Sequence, residues 1–254
     1  MLIVGMSKTT LLDYPGCVAV TVFVGGCNFR CPFCHNGGLV LDPLSQKSYS
    51  EEEILEFLKK RKKILKGVCI TGGEPTLHAD LPEFIWKIKE LGYRVKLDTN
   101  GYAPNVLKEL IDGKLLDYVA MDIKNCPDKY ALTTGMSGSL DIDRIKQSVN
   151  ILKTSSVLYE FRTTVVKEFH TKEDLLKIAG WIQGCSHYYL QQYQDNENIL
   201  DRIVHNPTGI DSGEESSFHG CLHGYDKEEM EQMADVFRQI PGMTGEVALR
   251  GIGA

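Results

Sequence analysis

Cys17-Val18-Ala19-Val20-Thr21-Val22-Phe23-Val24 runs directly into Gly25-Gly26-Cys27-Asn28-Phe29-Arg30-Cys31-Pro32-Phe33-Cys34-His35-Asn36. The first eight residues are an apolar, β-branched run, which predicts a buried strand. Three cysteines at a Cys-x3-Cys-x2-Cys spacing then fall in the loop at its C-terminal end, where α/β barrels carry their chemistry.

Three thiolates are one short of a structural zinc site, which takes four protein ligands. The next cysteine, Cys69, lies far downstream in an apolar run, and His35 abuts Cys34, an awkward position for a fourth ligand. A 4Fe–4S cluster on three cysteines instead leaves one iron open to a small molecule. The triplet, with the aromatic Phe33 before its third cysteine, resembles that of the radical S-adenosylmethionine (SAM) enzymes. The extension Cys34-His35-Asn36 is similar to that of the glycyl-radical-enzyme activases in that superfamily.

Downstream, strand and helix signals alternate. Ser50-Glu51-Glu52-Glu53 reads as a capping box opening a helix, with Lys59 to Lys63 at its end as the helix dipole favours. Gly67 to Thr71, Arg94 to Asp98, Asp117 to Asp122, residues 157–166 and residues 187–193 read as strands. Helices are expected over Asp80 to Leu91, before Asp117, and near 141–153 and 171–183. Such alternation predicts a parallel sheet with right-handed crossovers. The pattern shows about six units and is compatible with a full eight-stranded barrel or an open six-stranded one. The resemblance implies an α/β fold of one kind, the partial (β/α)6 TIM-like barrel of radical SAM enzymes. No linker divides the chain, so one domain over 1–254 is expected, with a core near 17–195. Residues 1–16 read as a lead-in segment. Residues 194–225 are polar and loop-like, Asp226 opens a last helix, and Val247 to Leu249 suggest a short strand.

The chain has 254 residues and a formal charge of −6, which disfavours nonspecific binding to nucleic acid. The first residues are too short an apolar stretch for a secretory signal, and no run is long enough to span a membrane. The eight cysteines therefore read as ligands or buried thiols in a reducing cytoplasm.

Further polar residues end the predicted strands. Gly72-Gly73-Glu74-Pro75 follows the second; its glycines let backbone approach a ligand, and Glu74 can accept from an ammonium. A plain turn would read the same way. Asp98-Thr99-Asn100-Gly101 and Asp122-Ile123-Lys124 end the third and fourth; a turn and a surface ion pair are their bland alternatives. The resemblance implies that Gly72, Gly73 and Glu74 hold the methionine amine of SAM, and that Asp98, Asp122 and Lys124 also contact SAM. In some members a monovalent cation sits near such aspartates. It also implies SAM contacts from Phe33, from Arg162 in strand five and from Gln194 after strand six, although Gln194 stands where relatives often have histidine. Leu12-Asp13-Tyr14-Pro15-Gly16 resembles a segment of proteins that activate anaerobic ribonucleoside-triphosphate reductase. It places Asp13, Tyr14, Pro15 and Gly16 near a partner's glycyl loop.

The resemblance thus implies an oxidoreductase that cleaves SAM reductively and sets a glycyl radical on a partner enzyme, foremost an anaerobic ribonucleotide reductase. A flavodoxin- or ferredoxin-type protein would donate the electron. Activation of a pyruvate formate-lyase-like enzyme, radical chemistry on a small molecule, and a non-catalytic zinc or iron–sulfur module stand as alternatives. Cys17 and Cys69 read as core residues. Cys126, Cys185 and Cys221 are too scattered to imply a second cluster, and the His219-to-His223 stretch reads as a polar loop.

Overall fold

A computed structural model describes residues 1–136, 138–205, 222–240 and 245–252. His219, Gly220 and Cys221 lie outside the described residues. The chain forms two compact units. The first comprises Met1–Asn28, Asp42–Asp122 and Asp143–Tyr159, and the second Phe29–Leu41, Ile123–Ile142 and Glu160–Ala254.

In the first unit, β1 (Ile3–Thr10), β2 (Ala19–Val24), β3 (Gly67–Gly72), β4 (Arg94–Thr99) and β5 (Tyr118–Asp122) lie side by side in chain order. From β2 onward neighbours are parallel, with Val24 opposite Gly72, Ile70 opposite Leu97, and Thr99 opposite Met121. The central strands are buried along most of their length, as expected where helices cover a parallel sheet. Strand β1 is a departure from the expected lead-in. It pairs antiparallel to β2, Met6 opposite Val22. Its Gly, Ser, Lys and Thr residues hide it from any apolar-run criterion, and a Cβ at Gly5 would stand 3.3 Å from the Phe23 ring, a tight contact.

Helices α2 (Glu51–Arg61), α3 (Leu81–Glu90), α4 (Pro104–Asp112) and most of α6 (Ile142–Thr154) belong to this unit. The predicted capping box of α2 is present: Glu53 N donates to Ser50 Oγ at 3.1 Å, and Ser50 N donates to Glu53 at 2.7 Å. Ile54 and Leu58 form its buried face.

The second unit holds α1 (Gly37–Leu41), α5 (Tyr130–Thr133), most of β6 (Leu158–Val165), α7 (Lys172–Ile182), β7 (His187–Gln192), α8 (Leu200–His205), α9 (Lys227–Arg238) and β8 (Glu246–Arg250). Strands β6, β7 and β8 are parallel, Phe161 opposite Tyr188 and Tyr188 opposite Val247. The suggested tail strand is therefore a sheet member. Arg250 fixes it by a two-pronged pair with the fully buried Glu160, at 2.6 and 2.8 Å. Capping boxes at Thr171 and Asp226 start α7 and α9. Helix α8 interrupts the stretch read as a loop. No helix among the described residues is long and apolar enough to cross a membrane.

Candidate active site

In the first unit, the loops after β2 and β3 lie backbone against backbone. Gly73 N donates to Val24 O, and Glu74 N donates to Gly26 O, each at 2.8 Å. A Cβ at Gly73 would stand 1.9 Å from Gly26 O, and Gly72 has φ +111° with Val24 backbone 2.5 Å from its missing Cβ. Both glycines are thus required by the fold itself, in addition to any ligand. His78 Nε2 lies 3.1 Å from Gly25 O and buttresses the same loop.

Glu74 is 1% exposed. Its Oε1 accepts from Thr76 N at 3.1 Å, Thr76 Oγ1 at 2.5 Å and Thr99 Oγ1 at 2.7 Å, and its Oε2 accepts from Asn100 N at 2.7 Å. Burial pushes this carboxyl upward while the four donors pull it back. Glu74 therefore ties the loop after β3 to the loop after β4, and keeps capacity on Oε2 for one more donor.

Asp98 pairs with Lys96 two residues earlier in β4, both within contact of Cys69 Sγ at 3.7 and 3.8 Å respectively. Lys96 is 1% exposed, and Tyr118 lies beneath its ammonium at 6.0 Å. A buried lysine inside a strand carries no sequence signal that separates it from a surface one. Asp122 ends β5 and is half-buried.

Asp13-Tyr14-Pro15-Gly16 precedes β2 and so lies at the N-terminal end of the parallel strands, the opposite end from Gly26 and Gly73. Asp13 accepts a hydrogen bond from Thr21 Oγ1. Tyr14 is buried among Cys17, Ala19 and Tyr118. Tyr14 and Pro15 line an open cavity of about 380 Å³ with Arg94, Lys114, Asp117 and Tyr118.

Cys27 belongs to the first unit; Cys31 and Cys34 belong to the second. In the second unit, Cys34 N donates to Cys31 O at 3.0 Å, and helix α8 receives this turn: Leu200 N donates to Cys34 O and Asp201 N to Pro32 O, each at 3.0 Å. Arg30 N donates to Thr134 O at 2.8 Å. Phe33 is buried on Phe169 and His170, ring centres 5.6 and 6.1 Å away. The carbonyl of Arg162 accepts from Ile123 N at 2.7 Å, which places β6 beside the Ile123-Lys124 segment. Gln194 donates through Nε2 to Gly251 O at 2.6 Å, and its own carbonyl lies 2.8 Å from His35 Nε2.

His170 was not among the sequence candidates. It is fully buried; its Nε2 lies 2.8 Å from Lys124 O, and its Nδ1 lies 3.2 Å from Val166 N and 3.3 Å from Val166 O. These contacts pin the backbone that carries Lys124. Burial lowers its pKa from the ordinary value of 6.5. The unfolded chain then binds a proton that the folded chain refuses, so stability falls as pH drops through about 6.5. Urea unfolding from pH 7.5 to 5.5 should show an extra loss of stability as pH falls, with a ceiling of about 1.4 kcal/mol per pH unit, absent in His170→Gln. Parallel curves for the two proteins would remove His170 as the source.

The radical SAM superfamily model matches residues 21–182. The chain belongs to the radical SAM superfamily. Within it, this radical SAM enzyme belongs with the glycyl-radical-enzyme activating enzymes. It is 35% identical over 202 residues to a Methanocaldococcus jannaschii protein provisionally named a glycyl-radical enzyme activating enzyme, covering 77% of this chain and 81% of that one. It is 32% identical over 184 residues to the pyruvate formate-lyase-activating enzyme of Clostridium pasteurianum, covering 68% of this chain and 73% of that one. Among solved structures, Streptococcus suis SuiB bound to its precursor peptide SuiA matches with TM-score 0.63 at 16% identity, over 89% of this chain. The chain spans 47% of the SuiB chain. A radical SAM methyltransferase from Sphaerobacter thermophilus matches with TM-score 0.66 at 12% identity, over 93% of this chain and 67% of that one. These likenesses show the fold, the partial TIM-like barrel of radical SAM enzymes with parallel strands.

A 4Fe–4S cluster and SAM are the cofactors of this family. The residues present fit them: three cysteines at the family spacing, a buried amide nitrogen on Asn28, next to Cys27, with no acceptor, and two glycines that let backbone come close.

Proposed function

We propose that Cys27, Cys31 and Cys34 hold one 4Fe–4S cluster, and that the protein, in the cytoplasm, generates a glycyl radical on a partner enzyme. The Cys-x3-Cys-x2-Cys-His-Asn run, placed after the first parallel strand of a radical SAM fold, carries the reading. When bound, the reduced cluster supplies the electron that cleaves SAM, whose adenosyl fragment takes a hydrogen from the partner's glycine.

The chain's own residues bind and orient. Gly72 and Gly73 offer backbone, and Glu74 offers Oε2, to the methionine ammonium. Asp98 and Asp122 accept from donors such as ribose hydroxyls, and Lys124 meets the methionine carboxylate. Phe33, Arg162 and Gln194 complete the SAM contacts. A monovalent cation beside Asp98 and Asp122 belongs to the same reading, with Lys96 already giving Asp98 one positive charge. Asp13, Tyr14, Pro15 and Gly16 lie at the opposite end of the parallel strands from Gly26 and Gly73, with Tyr14 buried, so this geometry does not support their expected place against the partner's glycyl loop.

The Leu12-to-Gly16 form favours anaerobic ribonucleoside-triphosphate reductase as the partner. The identity to the Clostridium pyruvate formate-lyase-activating enzyme favours a second reading, a pyruvate formate-lyase-like partner. The test is anaerobic: protein, SAM, a flavodoxin- or ferredoxin-type donor and each purified glycyl radical enzyme in turn. A doublet glycyl signal on one of them is expected, with SAM cleavage slow in its absence. Silence from every glycyl radical enzyme, with a small metabolite consumed in step with SAM, would sink the activase reading.

A further inference from the structure

Among the described residues, one buried side-chain nitrogen or oxygen lacks a hydrogen-bond partner: Asn28 Nδ2, on the residue directly after Cys27. A buried amide donor left unmade keeps its full desolvation cost, so such an atom calls for an acceptor.

The orientation of this amide is set from outside. Tyr102 N donates to Asn100 Oδ1 at 2.9 Å. A backbone N–H can only donate, so Asn100 must turn its Nδ2 outward. That nitrogen donates to Asn28 Oδ1 at 2.8 Å and lies 3.9 Å from Cys27 Sγ. Asn28 Oδ1 is thereby committed as acceptor, and flipping the group would set two NH₂ groups against each other. Asn100 cannot drift, because its own N–H is held by Glu74 Oε2 at 2.7 Å. The result is a fixed relay that runs Tyr102 N–H, Asn100 amide, Asn28 amide and ends in an open donor on the residue after Cys27, whose Sγ lies 4.0 Å from Asn28 Oδ1.

We propose that Asn28 Nδ2 donates to a sulfur of the cluster held through Cys27, and that with Asn100 Nδ2 on the Cys27 sulfur it raises the cluster's reduction potential. The inference rests on the cluster assignment of the preceding section. A sulfide or thiolate sulfur of a bound cluster can only accept. Hydrogen bonds to these sulfurs are among the factors that set cluster potentials, and they favour the reduced form, which carries one more negative charge. The couple is a one-electron reduction by an external low-potential donor; no bond to the chain forms or breaks. Asn28 and Asn100 are positioning and tuning residues in this account.

The experiment is a reductive titration of the reconstituted protein without SAM, read by the paramagnetic signal of the reduced cluster. In Asn28→Leu, at the potential that half-reduces the wild type, the reduced-to-oxidised ratio should fall about tenfold, equivalent to about 59 mV for one electron. Asn28→Asp, which keeps the shape and removes the donor, should fall further. Iron content should match the wild type. An unchanged potential in a cluster-bearing variant overturns the proposal. So does an unchanged potential with weakened SAM binding, which would assign the amide to SAM. Failure of both variants to load a cluster that the wild type loads also overturns it, since a tuning group is not needed for assembly. A wild type that takes up no cluster would mark failure of the parent reading instead.

Discussion

Replacing Cys27, Cys31 or Cys34 singly with serine is expected to abolish the paramagnetic signal of the reduced protein. Each removes one of only three protein ligands, and a serine hydroxyl is a far harder, less acidic donor than a thiol. Reconstituted wild type should carry about four irons, one cluster. The remaining described cysteines are built differently. Cys17 and Cys69 sit in the buried start and middle of the sheet, and Cys69 is enclosed between Lys96 and Asp98. Cys126 lies 3.6 Å from Asp174 Oδ1, and burial pushes its thiol upward, against thiolate formation. Cys185 is 1% exposed. Serine at any of these four should leave the signal in place. Full retention of the signal in all three triplet variants, or its loss in Cys126→Ser with the iron gone, would overturn the ligand assignment.

Among the described glycines, Gly73→Ala should produce the largest stability loss. The added carbon would stand 1.9 Å from Gly26 O and 2.7 Å from Gly26 C, and both are backbone atoms that no side-chain rotation can clear. The loop after β3 or the loop carrying Gly26 must move, breaking the bonds from Gly73 N to Val24 O and from Glu74 N to Gly26 O. Overpacking of this kind costs roughly 1–3 kcal/mol or more, which for a chain of this size lowers the melting midpoint by roughly 2–4 °C per kcal/mol. Cluster uptake should fall with it, because Cys27 follows Gly26 directly. Gly180→Ala is the contrasting control: it lies within α7, nothing stands within 4 Å of the new carbon, and the change should stabilise by up to about 1 kcal/mol. Equal midpoints for the two variants would show that the loops at Gly26 and Gly73 are not packed as described.

Much of this was legible in the sequence for identifiable reasons. Buried parallel strands write themselves as apolar runs, Ser50 announces its helix through a capping box, and Asp226 opens the last helix as read. The carboxylates at 98 and 122 and the glycine pair at 72–73 end strands as the alternation predicts. What stayed hidden depends on partners distant in sequence. Strand β1 is stabilised by pairing with β2, and Gly5, Ser7 and Lys8 break up any apolar run that would announce it. Lys96 and His170 are polar residues whose burial is made tolerable by Asp98 and by the Lys124 carbonyl, contacts that no local pattern encodes. The double duty of Gly73, as backbone spacer for another loop, likewise appears only once β2 and β3 are side by side. Of the donors around Cys27, Asn100 reads only as half of an Asn-Gly turn until Tyr102 fixes which way its amide faces.

The hairpin made by β1 has a consequence for how another chain can approach. A sheet margin with free N–H and C=O groups is a template onto which a foreign strand can add. Here β2 is covered by β1, and β1 is itself a poor template. Its ladder is broken between Ile3 and Gly5 and again between Ser7 and Thr10. Tyr49 N already occupies the carbonyl of Ile3 at 2.9 Å, and Lys8 adds a charge of the kind that repels edge pairing. β-Augmentation is disfavoured along this margin. A protein that docks beside it is better recognised through side chains and turns than through an added strand.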